Sequence, residues 1–128
     1  MENRILFLGT AGDEVVASKQ IRASGGIIIN TQGYQFMIDP GPGALNQAKK
    51  YNVNLRENTV VLVSHAHINH CNDINAVLAA MSHNNLDTKG VLIANSTVVN
   101  GDEKTKPYLT EFHKGSVERI IIPDPGQR

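Results

Sequence analysis

TVVLVSHAHINHCND, residues 59–73, passes from a run of β-branched and apolar side chains into a loop holding histidines at 65, 67 and 70. Residues 59–64 are apolar on both alternating faces, the pattern of a strand buried on both sides and central in its sheet. Where such a strand ends, positions i and i+2 still point the same way, so His65 and His67 can reach one point in space. His70 follows where the chain turns back and approaches that point from another side. From Asn72 the period changes. Ile74, Val77, Leu78 and Met81 stand at i, i+3, i+4 and i+7, the buried stripe of an amphipathic helix. Asn69, Asn72 and Asp73 surround its start, and all suit a cap or the positive end of the helix dipole.

Imidazole at this density suits zinc, iron, nickel or manganese, with zinc the commonest. The competing reading is that histidines mostly satisfy ordinary core or surface hydrogen bonds, but an HxHxxH spacing at the exit of a central strand favours metal. His83 and His113 are isolated in polar surroundings and are expected to face solvent. Cys71, beside His70, is either a soft ligand or a plain buried thiol.

Working outward, residues 4–8 (RILFL) form a short strand ended by the glycine turn GTAGD. Residues 14–24 have no period and read as loop or frayed helix. GGIIINT and YQFMID form a hairpin across a turn at 31–33. DPGPG at 39–43 is a break before a helix in which Leu45, Ala48 and Tyr51 or Asn52 share a face. VLIAN at 91–95 is a further strand, followed by a polar stretch, a short helix near 108–113 and a last strand in VERIIIP at 117–123. The turn-like ending PDPGQR after that strand suggests a chain that stops partway through a larger design.

At 128 residues the chain is one domain by size. No apolar run of membrane-spanning length and no signal-peptide pattern is present, so membrane and secretory readings fail. Cys71 is the single cysteine, which excludes an internal disulfide and makes a reducing cytoplasm the natural setting. Twelve basic and twelve acidic residues cancel, and with no Trp a broad nucleic-acid surface is disfavoured, though a local phosphate site is not.

The strand-loop HAHINH resembles the HxHxDH motif of the metallo-β-lactamase superfamily, whose members are mostly metal-dependent hydrolases. ILFLGTAG at 5–12 resembles the family's opening strand and glycine turn, and RASGGIIINT with FMIDPGPG its hairpin and acidic residue. The flavour is closest to the ribonuclease Z and phosphodiesterase-like branch. The resemblance implies an α/β fold: a mixed sheet with helices on one face, forming the N-terminal half of an αβ/βα sandwich, with residues 1–128 as a single domain. It implies that His65 and His67 match two histidines of the first metal position and His70 the histidine of the second. Zinc is the implied cofactor, one or two ions when the full site is assembled, with iron or manganese as alternatives.

Two departures from the family pattern bear on function. Asn69 stands where the family has aspartate; its amide oxygen coordinates weakly, adds no negative charge and cannot hold a proton from water. Asp73, one turn on, is either a compensating ligand or a dipole residue. Asp39 resembles a carboxylate that orients the metal loop, against a turn residue capping DPGPG. The second departure is length: family members are roughly twice this long, and their remaining ligands come from the other half. The expectation is therefore a metal-dependent hydrolase of phosphoester type, with Asn69 and Asp39 as catalytic residues and a nucleotide or RNA phosphodiester as substrate. Activity would need a second half or partner chain, supplied by a homodimer or a complementary C-terminal half. The rival expectation is a non-catalytic metal-binding scaffold or interaction subunit.

Overall fold

The computed structural model describes residues 2–128. Six strands form one sheet in the order β1-β2-β3-β4-β5-β6. These are β1 (Arg4–Phe7), β2 (Ile27–Thr31), β3 (Tyr34–Ile38), β4 (Asn58–Val63), β5 (Val91–Ala94) and β6 (Arg119–Ile121). β1, β2 and β3 pair antiparallel, whereas β4, β5 and β6 continue the sheet in parallel from β3. The β2–β3 hairpin closes through Gln32 and Gly33, both at positive φ (51° and 82°), the backbone that a tight two-residue turn requires.

Parallel pairing needs crossovers, and helices supply them. α1 (Glu14–Ser18) lies between β1 and β2, and α2 (Ala44–Lys50) between β3 and β4. α3 (Ile68–Cys71) and α4 (Ile74–Ser82) join β4 to β5, and α5 (Ser96–Asn100) and α6 (Glu111–Lys114) join β5 to β6. Ile74, Val77, Leu78 and Met81 of α4 are all fully buried, as their spacing predicts. They pack in one core with Ile28, Met37, Val61 and Leu92, a single cross-strand row of the sheet that is also fully buried. Each such side chain contributes roughly 1.5–3 kcal/mol by leaving water.

Several sequence expectations need correction. The buried face of α2 is Ala44 and Ala48, while Leu45 and Tyr51 are exposed. The small residues let the helix lie close to its neighbours, which puts Leu45 on the outer side. The polar stretch expected after residue 95 begins instead with a helix, α5: Asn95 accepts from Val98 N through its side chain and starts it. α6 begins at Glu111, capped by Thr110, and β6 is shorter than VERIIIP. His113 is half-buried rather than solvent-facing, with its Nδ1 2.7 Å from Thr110 Oγ1. His83 is exposed at the left-handed end of α4, as expected.

The two faces of the sheet differ. On the face away from the core, the row Phe7–Ile27–Ile38–Leu62–Ile93–Ile121 and the row Ile5–Ile29–Phe36–Val60–Val91 are apolar yet only partly covered. Ile5 and Phe7 are 63% and 58% exposed. An apolar surface this continuous is unusual on a free domain.

At the end of the sheet where β4 begins, a polar row crosses four strands on the core side. Arg4 Nε donates to Asn30 Oδ1 (2.7 Å), Asn30 Nδ2 to Gln35 Oε1 (3.1 Å), and Gln35 Nε2 to Asn58 Oδ1 (2.7 Å). Asn30, Gln35 and Asn58 are buried, and this chain satisfies carboxamides that would otherwise destabilise the strands. The histidine loop leaves the opposite end of β4. Among the described residues no helix is long and apolar enough to cross a membrane.

Candidate metal centre

The loop after β4 lies at the carboxyl ends of parallel strands, where α/β sheets place their ligands. Ser64 and His65 leave the strand, and His67 caps α3 with its backbone carbonyl, which accepts from His70 N (2.9 Å) and Cys71 N (3.1 Å). This one-turn helix carries Asn69 and His70 back toward His65. The three imidazoles gather as the spacing predicts: the His65 ring centroid is 4.6 Å from that of His67 and 4.1 Å from that of His70.

Asp39 organises the loop. It sits just past β3 at φ 53°, a left-handed conformation that Asp tolerates. Ser64 N donates to its Oδ1 (2.7 Å), Ser64 Oγ to its Oδ2 (2.8 Å), and His70 Nδ1 lies 2.8 Å from Oδ2. Ser64 Oγ is also 2.8 Å from His65 Nδ1. The ends of β3 and β4 are thus joined, and two imidazoles are held by their Nδ1 atoms. The DPGPG backbone is held instead by Asp73, whose Oδ2 accepts from Gly43 N (3.1 Å) and Ala44 N (3.0 Å) at the start of α2. That geometry makes Asp73 a helix-terminus carboxylate.

Asn69 is buried, and its Oδ1 is a buried polar atom with no hydrogen-bond partner among the described residues. Its backbone carbonyl accepts from Ser24 Oγ (3.2 Å). Cys71 is fully buried, its Sγ directed to the His67 carbonyl (3.2 Å), and burial pushes its thiol pKa up to about 11. This is an inert thiol rather than a thiolate ligand. Burial, and after it the neighbouring His70 and His67, lower the pKa of His65, which favours the neutral imidazole that binds metal. A cleft of about 310 Å³ opens beside His70, lined among others by Phe7, Thr10, Ser24, Asp39 and Asn69.

The residues fit a divalent ion in donor type and in support. Three imidazoles suit zinc, and metal-binding histidines typically have their second nitrogen held by a carboxylate or hydroxyl, as Asp39 and Ser64 hold these. They fall short in convergence and charge. Among the described residues no group of three or more His, Cys, Asp or Glu side chains is placed to hold a metal ion. The His65 and His67 rings meet edge to face at 80°.

Two residues at this site carry no mark in the sequence. Ser64 reads as the last residue of a strand. Glu14, at the start of α1, brings Oε1 to 3.4 Å from His67 Nδ1. It comes from a segment without periodicity, and only the folded chain brings it here.

Comparison with known proteins bears on the family and the fold. The family described as anti-Pycsar protein Apyc1 matches residues 3–116. The uncharacterized protein MJ1374 of Methanocaldococcus jannaschii is 26% identical over 126 residues, covering 98% of this chain and 47% of that protein. The metallo-β-lactamase fold protein YhfI of Bacillus subtilis superposes with a TM-score of 0.69 at 20% identity, over 99% of this chain and 48% of YhfI. The short form of human tRNase Z (ELAC1) gives 0.62 at 18% identity, over 75% of this chain and 35% of that enzyme. The fold is that of the metallo-β-lactamase superfamily, and the chain spans about half the length of the curated relative it matches.

Proposed function

Because the chain belongs to the anti-Pycsar protein Apyc1 family, we propose that it is the N-terminal αβ half of a metal-dependent hydrolase acting on a phosphate ester, in a nucleotide or in RNA. The observation that carries this reading is the gathering of His65, His67 and His70 at the end of β4, with Nδ1 of His65 and His70 held by Ser64 and Asp39. These three imidazoles would hold the ion: zinc by preference, iron or manganese as alternatives. When bound, such an ion offsets charge developing on a phosphoryl group and makes water a better nucleophile. The chain's own contribution is orientation. Asp39 holds His70 and, through Ser64, His65; Asn69 forms the turn wall beside them. The phosphate-ester class is supported by the name of one structural neighbour, a tRNase Z.

The half-fold reading draws on the open apolar face of the sheet together with the doubled length of the relative. A second αβ layer would cover that face and bring the remaining ligands. A complementary C-terminal half or a second copy of the chain would supply it. The single cysteine fits a reducing cytoplasm.

The test is hydrolysis of bis(p-nitrophenyl) phosphate and of a short RNA by the native assembly, with and without added zinc. Zinc-dependent turnover, absent from a His65→Ala/His67→Ala assembly, is expected. An assembly that binds zinc but turns over neither substrate would contradict the hydrolase reading. It would favour the second one, a metal-binding scaffold, which the uncharged Asn69 supports.

A further inference from the structure

We infer that the outer edge of β1 is a self-association surface, on which a second copy of this chain pairs antiparallel through Ile5 and Phe7. β1 ends the strand order, so one of its sides has no strand beside it. Leu8 N donates to Gly26 O (2.9 Å), which fixes the parity of the β1–β2 ladder. Arg4, Leu6 and Leu8 bond toward β2, and the N–H and C=O groups of Ile5 and Phe7 point outward. Among the described residues no other strand or loop bonds to those outward groups.

Free edges are ordinarily blunted by proline, an exposed charge, a bulge or very short length. The other edge of the sheet follows that rule: β6 has three residues, begins at Arg119 and runs on into Pro123. β1 is built differently. Its register with β2 is unbroken from Arg4 to Phe7, and its two outward-bonding residues carry apolar side chains, each more than half exposed. Its one charged residue, Arg4, bonds Asn30 on the core side.

The edge is complementary to itself. In the twofold antiparallel register centred on Leu6, Ile5 of each copy stands opposite Phe7 of the other. Both outward residues of each strand then exchange backbone hydrogen bonds, and each aliphatic side chain meets an aromatic one, a pairing that stabilises sheets. Arg4 falls opposite Leu8 of the partner copy. The register centred on Arg4 would instead set two like charges directly opposite, which destabilises a sheet. Strands this short bury far less than the roughly 800 Å² per partner of a standard interface, so the dimer forms at about 100 μM and dissociates on dilution. Pairing here needs neither a metal at the histidine loop nor a second αβ layer, and it leaves the apolar face of the sheet free.

The experiment is sedimentation equilibrium of the full chain from about 5 to 500 μM, bracketing that constant, for wild type and Ile5→Pro. Proline at position 5 deletes an outward N–H and none that β2 uses. Wild type is expected to reach a dimer, and Ile5→Pro to weaken it about tenfold or more, with thermal unfolding of the dilute protein unchanged. A second measurement mixes Ile5→Cys and Phe7→Cys chains under oxidised glutathione. Opposed Cα atoms in such a pair lie about 5.5 Å apart, within disulfide reach, so the mixture should cross-link several times more than either variant alone. Cys71 is fully buried and does not compete. Should Ile5→Pro fail to fold, the cysteine pair decides. Wild type that stays monomeric throughout, a folded Ile5→Pro within about twofold of wild type, or a mixed yield no greater than that of either variant alone would overturn the pairing. A dimer that persists in the last two cases would use another surface.

Discussion

Replacing His65 and His67 together by alanine is expected to abolish zinc binding and leave the fold intact. Zinc held by four protein ligands is bound with roughly 10–16 kcal/mol, so losing two imidazoles removes on the order of 5 kcal/mol, at least about a thousandfold in affinity. Neither Cys71 nor Asp39 replaces them. Cys71 is fully buried with its thiol pKa raised to about 11, and Asp39 is engaged with Ser64 and His70. The fold should hardly notice, because the His67 side chain is 67% exposed and the bonds that shape α3 run through its backbone carbonyl, which alanine keeps. The denaturation midpoint should correspond to a change within about 0.5 kcal/mol, typical of surface substitutions. Loss of binding with loss of folding would instead mean that the histidines are structural.

Gly41→Ala is expected to have the opposite profile, a large loss of stability that also disturbs the site. A Cβ there would stand 2.3 Å from Asn69 O and 2.4 Å from Ser24 Oγ. Ser24 could rotate away, at the loss of its bond to Asn69 O, but the Asn69 carbonyl cannot. It belongs to the turn that His70 ties to Asp39 and that Asp73 N ties to Pro40 O (3.0 Å). Backbone must shift, and about 3 kcal/mol or more of stability should be lost in urea unfolding. Zinc affinity should fall with it, because the displaced turn carries His70. Gly12→Ala is the control: an added Cβ there meets nothing within 4 Å, and the change should be near neutral.

What the sequence made legible was local and periodic. The spacing of Ile74, Val77, Leu78 and Met81 marks the buried helix face because a single element decides it. The β2–β3 hairpin follows from two apolar runs around a short glycine turn. The gathering of His65, His67 and His70 follows from strand parity and one turn of chain. Contacts between distant segments were not legible in that way. Asp39 holding His70, Asp73 capping α2 and Glu14 meeting His67 each join residues far apart in sequence, with no pattern to announce them. α5 was hidden because Val98 and Val99 favour strands on their own, and the Asn95 cap with burial of both side chains outweighs that preference. Leu45 misled for a related reason: it is the larger hydrophobe, but tight packing of α2 selects Ala44 and Ala48.

The uncharged Asn69 could be seen from the sequence; its consequence needed the fold. In the fold, Asn69 Oδ1 is buried with no hydrogen-bond partner among the described residues, and Glu14 Oε1 lies 3.4 Å from His67 Nδ1.

The most direct test of the metal centre is the metal content of wild-type protein of known native mass, prepared in metal-replete medium and measured by elemental analysis. About one zinc, iron or manganese per chain is expected, the number that three imidazoles with a carboxylate in support can hold. Protein that is folded, of the expected mass and free of metal would contradict it, leaving HAHINH as a loop that keeps the shape of a metal site without its chemistry.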